Sequence, residues 1–398
     1  MVESAELFRE AEVPLPSNLI ILLSISCGMT AANLYYCQPL LQEMSNALHL
    51  SSRQIGIVPA LTQFGYAAGL LLFIPLGDRL PRKQLVLSLL LLEIISLLAA
   101  CFSSSLALLA AASLTIGTFT VVPQILVPYA AQASPPKLRG ATIGKIQSGL
   151  LVGILVSRSL SGYVGEHYSW RAMFGLAAAG TLLLAITLNY RLPESRGHSD
   201  LSYFKLLKSV WTFLKSHAEL QVSCLTGASL FACFSVFWAT LSFLLNTPAY
   251  HLGPEATGLF GLVGLAGALA APFAGKLAHS RGPRFMVGVM LIMVLLAYAI
   301  YYFAGYSIMG LVAGVILMDL GVQAGHISNQ TRIFAIAPSA SSRINTAYMV
   351  SYFLGGSIGA LLGTYAWSVG RWHAVCLTGL GFVLIGLASH LMVGNKRE

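Results

Sequence analysis

A chain of 398 residues that is 56% hydrophobic, only 9% charged and +9 in formal net charge cannot solvate the surface of a soluble fold of its size, which needs roughly a quarter charged residues. With a mean hydropathy of +0.76, these values exclude one or two soluble domains and point to helices that cross a bilayer. They also exclude nucleic acid as a partner, because the basic residues stand in small groups between apolar blocks rather than in one patch.

The opening "MVESAELFREAEVPLPSN" is acidic and polar and lacks the basic n-region of a signal peptide, so the first apolar block is expected to be retained. Cutting the chain at its polar breaks then predicts twelve spans of bilayer length. The first six run over 18–43, 54–76, 84–102, 106–132, 140–163 and 171–191. The second six run over 219–246, 255–277, 285–304, 307–334, 344–368 and 371–393. The expected fold is an all-α membrane protein with twelve transmembrane helices in two pseudo-symmetric six-helix bundles. Residues 1–191 form the first bundle, 192–218 a cytoplasmic linker and 219–398 the second bundle. Six cysteines fall in or beside apolar blocks without a C-x-x-C pair, which predicts free packing thiols.

If the N-terminus is cytoplasmic, nineteen of the 23 Lys and Arg fall on that side, against Arg53, Arg171 and Arg371 on the other and Arg158 within a span. The positive-inside rule therefore places both termini in the cytoplasm. The halves also echo each other: "IPLGDRLPRK" at 74–83 aligns with "GKLAHSRGPR" at 275–284, Arg139 with Arg343, and Trp170 with Trp372, all 201 to 204 residues apart. In the linker, Phe204, Leu207, Trp211 and Leu214 recur at helical spacing beside Lys205, Lys208 and Lys215. Such a helix could lie on an anionic leaflet, or the segment could be a solvated linker.

Two six-span halves, a central loop and the basic turn Gly77, Asp78, Arg79, Leu80, Pro81, Arg82, Lys83 resemble the major facilitator superfamily, specifically its twelve-span efflux permeases of the drug:proton antiporter type. The superfamily motif reads G-x-L-A-D-R-x-G-R-K; here both motif glycines are replaced and the charges stand. "NLYYCQPLL" at 33–41 is similar to a sequence common in the same group. Two features depart from it: span 4 holds no Arg, its strongest polar group being Gln124, and the span 5 antiporter motif keeps Gly149 and Gly153 but has Ile154, Ser157 and Arg158 at its Pro, Gly, Gly places.

The resemblance implies a gate. A carboxylate can sit against the positive N-terminal end of a helix, so Asp78 would latch onto span 11, which begins near Arg343, with Arg79 and Arg82 in the same gate and Lys83 as a headgroup anchor. The plainer alternative makes all four loop charges topology anchors.

Charged groups deep in a bilayer are costly and therefore candidates for function. Asp319 lies roughly 18 Å into span 10 at 1.5 Å per residue, and Gln323, His326 and Gln330 follow on its face. The resemblance makes this a cavity wall; a sealed interhelical ladder is the alternative. Span 1 offers Asn33 and Tyr36 for substrate contact, and span 7 offers Phe234, Phe237 and Trp238 for stacking or for packing. Arg158 needs an anion, which could be a substrate carboxylate, Asp319 or Glu43, and forms with Asp319 the expected proton-coupling pair. Glu93 in span 3 is expected as a protonated carboxyl packed between helices.

The expected activity is secondary transport of a small organic solute by alternating access, as proton-coupled export from a bacterial inner membrane by a monomer. Partners are the solute, protons and membrane lipid; no cofactor or metal is expected. Uptake or facilitated exchange is the alternative that the missing span 4 Arg favours. An intramembrane enzyme or a sensor is the alternative of another class, and the sequence has no nucleophile-base pair or added domain to support it.

Overall fold

The computed structural model describes residues 15–77, 79–194, 203–264, 282–336 and 341–392. Asp78 and residues 275–281 of the second basic loop, both named above, lie outside the described residues. Ten helical stretches among the described residues are long and apolar enough to cross a bilayer: Ser17–Ala47, Ser52–Gly77, Arg82–Cys101, Leu106–Gln132, Arg139–His167, Trp170–Arg191, Ala218–Leu245, Pro283–Ala304, Ile308–Ile336 and Arg343–Met392. The last holds two spans joined at Gly370 and Arg371, whose φ of 53° breaks the helix. Helix 254–264 begins span 8. The predicted span limits are thus met to within a few residues wherever the chain is described, and the fold is the twelve-helix bundle of two six-helix halves.

Among the described residues, the helices of spans 1, 2, 4 and 7 are interrupted within their length, span 2 at Gly56. Span 1 opens at 33–36, between Ser17–Ala32 and Cys37–Ala47. Span 4 opens at 120–122, between Leu106–Phe119 and Pro123–Gln132. Proline explains both, since Pro39 and Pro123 have no N–H for the carbonyls four residues earlier and their rings crowd those carbonyls. Span 7 opens at 239–240, the position in the second half that answers the break of span 1.

Glycine contacts repeat between the halves. Gly28 and Gly149 let spans 1 and 5 touch backbone to backbone, and Gly355, Gly359 and Gly363 do the same for span 11 against Ala228, Ala232 and Val236 of span 7. The two Trp that answer each other are both buried, at the start of spans 6 and 12.

The linker contains a helix, Tyr203–Ser216. Val210 is buried and Phe213 and Leu214 pack on the core, while Trp211 is 57% exposed under Lys215. The Tyr203 hydroxyl donates to the Leu72 carbonyl of span 2, and the Arg343 guanidinium lies 5.3 Å from the Phe213 ring. The helix therefore straps a span of one half to a span of the other.

Candidate functional site

The bundles meet differently at their two ends. At the end that carries loops 48–51, 168–169 and 246–253, called distal here, they are sealed. Ser357 of span 11 donates to the Ala60 carbonyl of span 2 at 2.8 Å, and Ser159 of span 5 donates to the Gly258 carbonyl of span 8 at 3.0 Å. Arg53 stacks over Tyr365 and Ser235 donates to Gln63. A small hollow of about 110 Å³ remains between spans 1 and 7, beside Glu43 and Ser242.

At the basic end the same spans stand apart around a cavity of about 440 Å³. Spans 2 and 4 supply Ile74, Gly77 and Gln124; spans 10 and 11 supply Phe334, Asn345 and Thr346. Gln124 also donates to the Tyr66 hydroxyl, and Gln330 donates to Asn345 of the cavity wall. Arg82 lines the same cavity and donates to the Gly77 carbonyl, whereas Arg79 is exposed.

Between seal and cavity lie two charges, Arg158 at 1% and Asp319 at 4% exposure. Arg158 donates from Nε to Gln38 at 2.9 Å, and its guanidinium is caged by Trp238 at 4.2 Å, Tyr35 at 4.8 Å and Phe234 at 5.2 Å. Asp319 is the negative charge that acts on it. Asp319 lies close over Gly264, and a side chain at Gly261 would meet Arg158, so the missing side chains of span 8 make room for both charges. Among the described residues, Arg158 Nη2 and Asp319 Oδ1 have no hydrogen-bond partner. Glu43, the other expected partner of Arg158, accepts instead from the Trp170 backbone N–H.

The four residues of the span 10 row differ in exposure, and none of them is among the residues that line the cavity. Asp319 is buried, and Gln323, His326 and Gln330 are half-buried. His326 is hydrogen-bonded to the Tyr348 hydroxyl at 3.1 Å, and its ring lies 4.6 Å from that of Tyr352. Asn33 and Tyr36 are not brought to this row: Asn33 turns inside the first bundle to Glu93, and Tyr36 is held by its carbonyl, which accepts from Ser161. Sequence reasoning passed over Gln38 and Tyr35, which touch Arg158 directly. The signal was present: an aromatic and an amide bracketing the span 1 break that Pro39 forces.

Residues 22–360 match the Major Facilitator Superfamily. The chain belongs to this superfamily. It is 39% identical over 369 residues to the "Uncharacterized transporter YgaY" of Escherichia coli O157:H7, covering 93% of this chain and 94% of that one. It is 32% identical to the "Probable transporter SCO4007" of Streptomyces coelicolor, covering 92% and 85%. Among solved structures, a bacterial homologue of the human lysosomal transporter Spinster, in its inward-facing occupied state, superposes with a TM-score of 0.74 at 16% identity over 96% of this chain and 97% of that one. The nucleoside transporter NupG superposes with a TM-score of 0.74 at 14% identity, over 96% and 100%. As a superfamily member the chain is a multi-pass membrane transporter of small molecules, not an enzyme.

Proposed function

We propose that this superfamily member exports a small organic solute in exchange for protons, with both termini in the cytoplasm and bundles 1–191 and 219–398 rocking about the linker 192–218. One observation carries the proposal: a distal seal and a basic-end cavity of about 440 Å³ lie on either side of the Arg158–Asp319 pair, at the seam of the two bundles. The sequence assigns nineteen of the 23 basic residues to one side of the membrane, and Arg82 of that set lines the cavity, which supports reading the cavity side as cytoplasmic and the state as inward-facing, the state named for the Spinster homologue. Solute would enter along Gln124, Gln330, His326 and Gln323 and reach Trp238, Asp319 and Arg158. Arg343 is held on Phe213 of the linker helix and Arg82 stands in the cavity wall, which fits a gate whose closure would bring Asp78 to the start of span 11. The proposed working unit is a monomer in a bacterial inner membrane.

The test incubates inverted membrane vesicles in a mixture of metabolites and drugs and reads uptake by mass difference. Wild-type protein should accumulate one solute class under a pH gradient. At matched expression Asp319→Asn should lose accumulation yet exchange labelled for unlabelled solute, because binding and rocking survive without proton release. Accumulation by the variant at the wild-type level refutes coupling at Asp319. Accumulation that needs no pH gradient favours facilitated exchange.

A further inference from the structure

The first bundle buries a second carboxyl away from the Arg158–Asp319 pair. Glu93 of span 3 has no exposed surface. Its Oε1 accepts from Asn33 Nδ2 at 2.7 Å and from Thr120 Oγ1 at 2.5 Å, and its Oε2 has no partner among the described residues. Asn33 is the first residue of the span 1 break and Thr120 the first of the span 4 break. One carboxyl thus ties together the two helices of this bundle that proline has opened.

No cation faces it. Spans 2, 4 and 6 pack against span 3 and span 1 reaches it through Asn33. Span 4 has no charged residue, and span 2 has only Arg53, which stacks on Tyr365. Span 6 has Arg171, bonded to the Ser103 carbonyl, and Arg191 at its far end; span 1 has Glu43, bonded to Trp170. Among the described residues, the Tyr36 phenol lies near enough to feel the Glu93 charge. A bare carboxylate in such a place costs far more than a hydrogen bond returns, so a positive species must neutralise it. A metal ion would need a shell of oxygen ligands, yet both groups bonded to Glu93 are donors. The species that fits is a proton on Oε2.

We propose that Glu93 is a second proton site, loaded and emptied as spans 1 and 4 flex at their breaks. On release the Oε2–H bond breaks, the proton goes to water, and the electron pair stays on a carboxylate that Asn33 and Thr120 already bond. Thr120 stands four residues before Gln124 of the cavity wall. A change of angle at 120–122 therefore moves that wall, and the proton's presence is read as bundle geometry.

The probe is the proton itself, so the test needs no solute and leaves Asp319 untouched. Spin labels at Tyr168→Cys and Tyr306→Cys, exposed on opposite bundles at the distal end, in a Cys101→Ser background, report the inter-bundle distance in lipid vesicles as pH is stepped. The wild-type distribution should shift between open and closed populations; Glu93→Gln, in which Asp319 still titrates, should shift less than the wild type; and Glu93→Asp should recover the full shift. Infrared difference spectra of the wild type across the same steps should lose a protonated-carboxyl band that is missing from Glu93→Gln. A Glu93→Gln protein that shifts as the wild type does, a wild-type distribution that ignores pH, or a carboxyl band unchanged in the variant overturns the proposal.

Discussion

Replacing Gly258 by alanine should tilt the protein toward its distally open state without unfolding it. Gly258 begins the contact of span 8 with span 5, and an added Cβ would lie 2.5 Å from the Arg158 carbonyl oxygen, where ordinary contact begins at 3.4 Å. The two bundles must then part by about 0.9 Å there, stretching the Ser159 to Gly258 hydrogen bond. Overpacking of this size costs about 1–3 kcal/mol, or roughly 5- to 150-fold in the ratio of states. The strain vanishes if the bundles separate, so it falls on the conformational equilibrium and not on folding. Gly149 provides the matched control: its Cβ would lie 2.6 Å from the Ser24 carbonyl oxygen, but spans 1 and 5 belong to one bundle and stay together in either state. The Tyr168/Tyr306 label pair should show a longer distal distance in Gly258→Ala at unchanged melting temperature, whereas Gly149→Ala should lower the melting temperature at unchanged distance. Equal behaviour of the two variants would refute the assignment of the span 5 to span 8 contact to a seal that opens.

The central pair makes a second prediction. Removing one partner of a buried charge pair costs about 3–5 kcal/mol, while replacing both is close to neutral, so Arg158→Met and Asp319→Asn should each lower thermal stability in detergent and the double variant should regain it. Additive losses would show that the two charges are not each other's counter-ions. Reporter fusions after Arg196 and at Glu398 should read cytoplasmic and one after Gly253 external; a reversed reading at any of them overturns the orientation. Phe213→Ala removes the ring that holds Arg343 and should raise protease cleavage within 192–218 on the cavity side, and unchanged cleavage would mean that the linker helix is held elsewhere.

The sequence alone determined the number and limits of the spans and the repeat, because hydrocarbon thickness fixes helix length and each polar loop must reach water. It also marked the charged turn and the row from Asp319 to Gln330, since helical spacing is local. Only the tertiary structure decided what meets what. Arg158 could have served Glu43 or Asp319, and the choice rests on how span 5 faces spans 8 and 10 across the seam. Asn33 was legible as a polar residue at the proper depth, but it turns to Glu93 because Pro39 opens span 1 and rotates the residues before it out of the helical register. Glu93 was visible as a buried carboxyl; that it joins two broken helices depends on two prolines, 84 residues apart, bringing their breaks to one level. Such contacts arise between helices distant along the chain, and no periodicity along one helix records which neighbour its face will meet.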